Sequence, residues 1–462
     1  MYEREFKYES AKQNGLNYLQ DIGLKAQLIE VFCGHVYVCN LNIKDRRGDF
    51  ISGCGKGTCQ VGSEVGSIFE AIEHYHAVNY ASLGGLFSTS VSAYLANLRD
   101  NSQDIELEYI YSLIEEQKNT QLVACRLHEV EGRKNLDVPY GLINPRYIHD
   151  LEDDTTITNK NLEDNFCYDK LRKYSSSNGM GAGSTINEAL IHAISECIER
   201  QCVGDFLVRA LGQKNKSVIK VIDVDTLPED IKYIQNIIKE RHGDVYLFDI
   251  KNDIGFPVYL AYLDNPDPSL RCVTMGGSIY PSYAASRALT EMLQALEVME
   301  YDKSVGGRGL EERMSRMFEM FNKDFYFFKR FSFQNLHEIV TENHYITKSF
   351  NNEEIEILSL KSHRKYLCDK LKSSGRNAWY TIYSEPTQSH SIAVVQVLIS
   401  PFDGGFLLMH GIPVSISNRL LLQVEEDRKH LITQRLKLKL NHESNNGGYC
   451  GDNGTGLDYD EY

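Results

Sequence analysis

A short pattern occurs three times in this chain and constrains its fold. Each copy begins with a triplet that contains glycine. Thirteen residues after the last residue of the triplet comes a glutamate, with a second oxygen-bearing side chain three residues beyond it. The copies are residues 55–57 with Glu70 and Glu73, residues 181–183 with Glu196 and Glu199, and residues 276–278 with Glu291 and Gln294. Positions three apart share one face of a helix. The pattern therefore predicts three related units, each a glycine turn that leads into a helix.

The central copy shows the clearest helix signal. Thr185 and Glu188 have the spacing of a capping box, in which two side chains satisfy free backbone N–H groups at a helix start. The helix is therefore expected to begin at Ile186. Its polar face runs from Glu188 through His192 to Glu199, and one such face alone is typical of a solvent-exposed side. The threefold recurrence favours a shared site instead.

Converging carboxylates indicate a cation-binding site. Facing carboxylates are unfavourable unless a cation neutralises them or their pKa values rise strongly. Oxygen ligands alone favour magnesium or calcium over zinc. Lys56, Arg200 and Arg287 lie beside these carboxylates, and helix N-termini offer N–H groups to anions. Magnesium with a polyphosphate fits both features, although the residues around Lys56 lack the spacing of a Walker-type loop.

These segments resemble the signatures of the YcaO proteins. The stretch from Ser176 through residues 181–183 to Arg200 is similar to the central signature of that family, and the segments around Lys56 and Arg287 resemble the other two in the same order. The resemblance implies a mixed α+β (α/β) fold in which three glycine-turn and helix motifs converge on a site for ATP and Mg²⁺. It also implies an enzyme that phosphorylates the oxygen of a peptide backbone amide.

The resemblance implies roles for individual residues. Metal binding is expected of five glutamates, namely Glu70, Glu73, Glu196, Glu199 and Glu291. Cofactor binding is expected of Lys56, Glu70, Glu73, Ser184, Arg200, Arg287 and Glu291, where Ser184 stands in place of an asparagine. Glu196, Glu199 and Arg287 are the candidates for catalysis.

Four side chains have simpler explanations. His192 is expected to be a packed or hydrogen-bonded histidine, because magnesium seldom takes imidazole. Glu188 is expected to cap the central helix. Arg287 and Glu291 stand four residues apart, which alone is typical of an ion pair within one helix.

The reaction implied by the resemblance begins when a nucleophile attacks a peptide carbonyl. The resulting oxyanion takes the γ-phosphoryl group of ATP, and phosphate leaves with the former carbonyl oxygen. In a ribosomally made precursor peptide, Cys gives thiazoline and Ser or Thr gives oxazoline, whereas external sulfide gives a thioamide and a backbone amine an amidine. Azoline-forming relatives commonly end in a proline-rich terminus, and here the last proline is Pro413. A thioamide- or amidine-forming enzyme and a non-catalytic scaffold or adaptor therefore remain open.

Composition limits the classes of partner that this chain is expected to bind. A net charge of −15 over 462 residues argues against nucleic acid or an anionic membrane as the main partner. No stretch reaches the roughly 18 apolar residues of a membrane span, and the N-terminus lacks the apolar core of a signal peptide. Eleven cysteines without a C-x-x-C pair favour a cytoplasmic protein. A separate leader-peptide-binding partner is expected, and a homodimer is expected from the resemblance alone.

The chain divides into four segments. Residues 1–49 are expected to form strands that lead into an ATP- and Mg²⁺-binding core at 50–305. Residues 306–440 are expected to complete the domain, with a Met- and Phe-rich helical core at 314–331 and late strands at 392–399 and 405–408. Residues 441–462 are expected to form a flexible acidic tail rich in Gly and Asn.

Overall fold

The computed structural model describes residues 3–32, 37–44, 50–80, 85–100, 108–152, 162–212, 219–304, 333–351, 356–388, 390–410, 412, 414, 417, 419–426 and 429. One compact part comprises Met1–Ser417 and the other Asn418–Tyr462, in which residues 419–426 are helical. Helices and strands mix throughout the described residues of the first part, as the sequence predicts. None of the described helices combines the length and apolar character that a membrane span requires.

The strands of the described residues are β1 (Ala26–Phe32), β2 (Tyr37–Lys44), β3 (Phe50–Gly57), β4 (Leu86–Ser90), β5 (Gln121–Glu129), β6 (Asn135–Pro139), β7 (Met180–Gly183), β8 (Lys220–Ile222), β9 (Asp244–Asp249), β10 (Val258–Asp264), β11 (Cys272–Gly277), β12 (Ile346–Lys348), β13 (Asn377–Ser384) and β14 (Ala393–Ser400). The helices are α1 (Tyr8–Asp21), α2 (Gln60–Val78), α3 (Val91–Asp100), α4 (Glu108–Glu115), α5 (Tyr140–Ile143), α6 (Pro145–Glu152), α7 (Ile186–Asp205), α8 (Glu229–His242), α9 (Pro281–Ser304), α10 (Leu336–Thr341) and α11 (Leu360–Ser373).

Three sheets organise these elements. Their strand orders are β1-β2-β3, β11-β10-β9-β8-β12 and β4-β5-β13-β14-β7, with β6 beside β5. Strands β3, β7 and β11 are therefore each an edge strand of a sheet, and a long helix follows each of them in the chain. We refer to β3–α2, β7–α7 and β11–α9 as the first, second and third strand–helix units.

The glycine segments of these units are strand ends, so the prediction of glycine turns is wrong. A Cβ atom would clash with a helix carbonyl oxygen in every unit, at Gly55 (1.7 Å from Ser63), Gly181 (2.8 Å from Ala189) and Gly276 (2.3 Å from Ala284). In all three units the contacted residue lies eight positions after the glycine. These glycines are needed because the helix lies directly on its own strand, where a side chain has no room.

Two further predictions differ from the structure. Helix α1 precedes the strands of residues 1–49, where the sequence predicts strands alone, and Tyr18 and Leu19 bury its inner face. Residues 405–410 form a 3-10 helix instead of a strand, because the Asp403 side chain accepts the N–H group of Gly405 and turns the chain. The Met- and Phe-rich stretch at 314–331 and the tail at 441–462 lie outside the described residues.

Candidate active site

A cavity of about 550 Å³ is lined by residues from all three strand–helix units. Its walls contain eight of the nine residues that the sequence assigns to cofactor or metal binding, namely Lys56, Glu70, Glu73, Glu196, Glu199, Arg200, Arg287 and Glu291. The ninth residue, Ser184, is fully buried and does not line the cavity. Its backbone N–H group donates to Glu188 Oε2 at 2.7 Å, and Glu188 does line the cavity.

Side chains of the unit helices bind backbone groups of the unit strands. Glu70 Oε2 accepts the N–H group of Cys54 at 3.1 Å, and Gln294 Nε2 donates to the carbonyl oxygen of Cys54 at 2.8 Å. Glu73 Oε1 accepts the N–H group of Ala182 at 2.7 Å. Gln294 and Glu73 each reach a strand of another unit. These contacts hold the three units together at the cavity.

Basic side chains stand between the carboxylates. Lys56 Nζ lies 2.6 Å from Glu291 Oε2, so the first unit pairs with the third. Arg287 Nη1 donates to the carbonyl oxygen of Gly277 at 2.7 Å, and its Nη2 lies 4.0 Å from Glu199 Oε2 of the second unit. Glu291 thus pairs with Lys56 instead of forming the intrahelical pair that its spacing with Arg287 indicates.

Arg200 is the third cation of the cavity wall. Its Nε lies 4.0 Å from Glu196 Oε1, one turn earlier on α7, and its Nη1 lies 3.4 Å from the sulfur of Met409. All three units therefore bring both a cation and a carboxylate to the cavity.

Partial removal of water raises the pKa values of the carboxylates. Burial raises the pKa of Glu196 to about 7, against the opposing effect of Arg200. Burial also raises the pKa values of Glu70, Glu73 and Glu199. Glu199 Oε2 is buried and has no hydrogen-bond partner among the described residues. A cation bound in the cavity would therefore stabilise the ionised form of these carboxylates.

Glu188 lies at the start of α7, as the sequence predicts, and His192 lies in the cavity wall. Thr185 Oγ1 accepts the N–H group of Glu188 at 3.2 Å at the start of α7. The Glu188 carboxylate accepts from Ser184 rather than Thr185, so the capping box is displaced by one residue. His192 Nε2 lies 3.9 Å from Glu73, and burial lowers the pKa of His192 to about 3, so this histidine is neutral at pH 7.

Sequence reasoning missed the N-terminal contribution to this cavity. Glu3, Arg4 and Tyr8 line it together with the three units. No periodic pattern marks these residues, because their contacts lie far away in the sequence. The sequence analysis predicts only strands in residues 1–49, so it does not place this segment directly before a helix.

The donor set fits magnesium that is shared with a phosphate ligand. Among the described residues, no three His, Cys, Asp or Glu side chains are placed to hold a metal ion by themselves. Magnesium usually takes one or two carboxylates and completes its coordination with water and phosphate oxygens. The buried Oε2 atom of Glu199, which accepts no hydrogen bond from the described residues, is a suitable donor atom for such an ion.

A family model described as YcaO cyclodehydratase, ATP- and Mg²⁺-binding, matches residues 54–402. The chain belongs to the YcaO family. The resemblance seen in the sequence motifs is thereby confirmed. The description of the family model names ATP and Mg²⁺ as the family's ligands.

Solved YcaO structures share this fold. YcaO from Methanopyrus kandleri, bound with AMPPCP and Mg²⁺, has a TM-score of 0.58 at 14% identity over 90% of this chain and 96% of that chain. A heterocyclase in complex with substrate and cofactor has a TM-score of 0.55 at 14% identity over 84% and 52%. The E. coli microcin synthetase McbBCD complex with pro-MccB17 bound has a TM-score of 0.52 at 13% identity over 81% and 87%. At these identities the likeness shows the fold.

Curated relatives match a shorter part of this YcaO protein. An uncharacterized protein of Methanothermobacter thermautotrophicus is 31% identical over 127 residues, which are 26% of this chain and 31% of that protein. One of Haemophilus influenzae is 29% identical over 133 residues, which are 27% of this chain and 21% of that protein. The match thus spans less than a third of either relative.

Proposed function

We propose that the cavity binds ATP with magnesium and that the chain phosphorylates the backbone amide oxygen of a bound peptide. One observation carries this proposal: the three strand–helix units bring six glutamates, the five predicted ones and Glu188, to the wall of one cavity, together with the basic side chains of Lys56, Arg200 and Arg287. Phosphates require cations and N–H donors, and magnesium requires oxygen ligands. The cavity wall carries cations and carboxylate oxygens next to each other.

The cations are proposed to hold the phosphates. Lys56 and Arg287 approach from different units, and Arg200 comes from the unit between them. Arg287 is already oriented by its hydrogen bond to Gly277, which reduces the ordering required when a phosphate binds. Ser184 acts indirectly in this proposal, because its N–H group positions Glu188 at the cavity wall.

The carboxylates are proposed to hold magnesium through their second oxygens. Glu70 and Glu73 each use one oxygen on a backbone N–H group. The other metal ligands are proposed to be Glu196, Glu199 and Glu291, with water between some of them and the ion. Bound magnesium would neutralise charge on the phosphates. Catalysis then consists of positioning and charge neutralisation, with Glu196, Glu199 and Arg287 at its centre.

The proposed substrate is a ribosomally made precursor peptide, and the proposed product is a thiazoline or oxazoline ring. Support comes from the shared fold with a heterocyclase and a microcin synthetase complex. The alternative product is a thioamide or an amidine. A scaffold or adaptor role for a partner enzyme is the non-catalytic alternative. We also propose a separate leader-binding protein, a homodimer and a cytoplasmic location.

Calorimetry with ATP and magnesium tests the nucleotide site. We expect the native chain to bind, Glu196→Gln to lose magnesium-dependent binding, and Arg287→Ala to bind at least tenfold more weakly, because a charge-assisted hydrogen bond is removed. Glu240→Gln is the matched control, since Glu240 is exposed on α8 outside the cavity. Native-like binding by folded Glu196→Gln and Arg287→Ala proteins would contradict the proposal.

Mass spectrometry of a treated precursor peptide separates the products. Azoline formation removes one water per ring, thioamide formation exchanges oxygen for sulfur, and amidine formation by a backbone amine also removes water but closes a larger ring. Fragmentation then locates the change at Cys, Ser or Thr, or at a distant amine. ATP binding with no change in peptide mass would favour the scaffold or adaptor role.

A further inference from the structure

The segment that precedes α1 contacts all three strand–helix units at the cavity. We call residues 3–7 the strap. Its contacts are Glu3 Oε1 with the Ser278 hydroxyl of the third unit at 2.6 Å, Arg4 with the Phe69 ring of the first unit at 6.0 Å between guanidinium carbon and centroid, and the Glu5 N–H group with Glu188 Oε1 of the second unit. Three consecutive residues therefore meet three different units.

The contacts of the strap are specific. Ser278 is fully buried and Glu188 is 3% exposed, so both partners of the strap lie inside the fold. Glu3 has a φ of +59°, a left-handed conformation that is uncommon for residues other than glycine. Such a conformation persists where surrounding contacts determine it. At Glu3 the surrounding contacts include the hydrogen bond from the Ser278 hydroxyl.

Helix packing anchors the end of the strap that leads into α1. Helix α1 packs on α2, where Lys12 Nζ lies 2.6 Å from Glu64 Oε2 and a Cβ on Gly15 would clash with Ile68. Lys7 precedes α1 in an extended conformation (φ −63°, ψ 152°) with no side-chain cap. Between this anchored helix and residue 3, Glu3 and Glu5 form the hydrogen bonds to the third and second units.

Arg4 gives the strap a charge that suits an anionic ligand. Its side chain lines the same cavity as Lys56, Arg200 and Arg287. When the strap lies in place, it adds the Arg4 cation and the Glu3 carboxylate to the cavity wall, and the Glu3 carboxylate accepts the Ser278 hydroxyl, which leaves Arg4 as the strap's group for an anion. An arriving polyphosphate would therefore stabilise the docked strap, and the docked strap would retain the polyphosphate.

We propose that the strap opens to admit the nucleotide and closes over it, with the Glu3–Ser278 and Glu5–Glu188 hydrogen bonds as its two latches. This inference rests on the proposed nucleotide site. It adds a coupling between N-terminal docking and nucleotide release. Closure lengthens the residence of the nucleotide, because both latches must break before the phosphates leave.

Hydrogen–deuterium exchange on the full chain tests the closure. The Glu5 N–H group is itself a latch, so its exchange reports docking directly. We expect ATP with magnesium to slow exchange in the peptide that contains residues 3–8 by at least tenfold. An unchanged or faster exchange on binding would overturn the proposal, since faster exchange would mean that the nucleotide displaces the strap.

Stopped-flow dissociation of ATP tests the latch. Glu3→Ala removes one latch, and we expect about tenfold faster dissociation with an association rate within about twofold of native. Glu9→Ala is the control, because Glu9 is exposed in the first turn of α1. Equal dissociation from both variants would overturn the strap alone. Absence of ATP binding by the native chain in calorimetry would remove the nucleotide site and the strap together.

Discussion

Glu73 on α2 accepts the backbone N–H group of Ala182 on β7 at 2.7 Å, although 109 positions separate the two residues. A cavity carboxylate thus also closes the edge of a strand in another unit. Glu70 does the same for Cys54 in its own unit. Each of these carboxylates has one oxygen committed to the backbone and one available to a ligand, so the same side chains support both the fold and the cavity chemistry.

Substitutions of Glu73 separate these two tasks. Glu73→Ala leaves the N–H group of Ala182 without its partner, and we expect a loss of about 1–3 kcal/mol in the free energy of unfolding. Glu73→Gln keeps an acceptor oxygen, so we expect a change below about 1 kcal/mol together with weaker magnesium-dependent ATP binding. Urea unfolding and calorimetry measure the two effects. Equal stability of both variants would contradict the edge-capping role.

Two neighbouring glycines provide a matched test of strand–helix contact. A Cβ on Gly55 would lie 1.7 Å from the Ser63 carbonyl oxygen, whereas a Cβ on Gly57 would meet its nearest atom at 3.4 Å. We expect Gly55→Ala to cost more than about 3 kcal/mol or to prevent folding, because helix α2 must move off β3. Gly57→Ala should fold normally. Thermal unfolding of the two variants measures the difference, and equal melting temperatures would exclude the proposed cause.

Lys56 is expected to matter more for ATP than for stability. Its ion pair with Glu291 is partly exposed, and such pairs contribute below about 1 kcal/mol to folding. We expect Lys56→Met to weaken ATP binding by about tenfold or more, since a phosphate-facing cation is lost. Lys239→Met is the control, because Lys239 forms an exposed pair with Asp244 away from the cavity wall. Comparable ATP affinities of the two variants would contradict the role of Lys56.

Burial of His76 in its neutral form is expected to make the protein less stable in mild acid. This histidine is 6% exposed, its Nε2 bonds to Tyr18 and His390 lies nearby, and burial lowers the pKa of His76 to about 4. The unfolded chain, in which the pKa returns to about 6.5, binds the proton more tightly. Stability therefore falls as the pH drops from 6.5 towards 4, by about 2 kcal/mol between pH 7 and 5. Urea unfolding of native and His76→Gln proteins at both pH values tests this, and parallel losses in the two proteins would contradict it.

Features that depend on one helix could be predicted from the sequence. The start of α7 at Ile186 and the shared face of Glu196 and Glu199 follow from capping chemistry and helical spacing. The glycine segments are predicted as turns, whereas the structure uses them as strands, because glycine serves equally for positive φ and for close backbone approach. A signal for the second use is present in the sequence, since small residues follow the glycines at eight and twelve positions in every unit: Ser63 and Ser67, Ala189 and Ala193, Ala284 and Ala288.

The amino-acid sequence by itself determined which side chains share a helix face, because local hydrogen bonds impose the 3.6-residue period on any chain that forms a helix. Only the tertiary structure decided which faces meet. Lys56 with Glu291, Glu73 with Ala182 and Glu3 with Ser278 are pairs brought together by strands at the edges of three sheets and by helices that lie directly on them. No period in the sequence encodes such pairs, since their geometry depends on packing between segments more than a hundred residues apart.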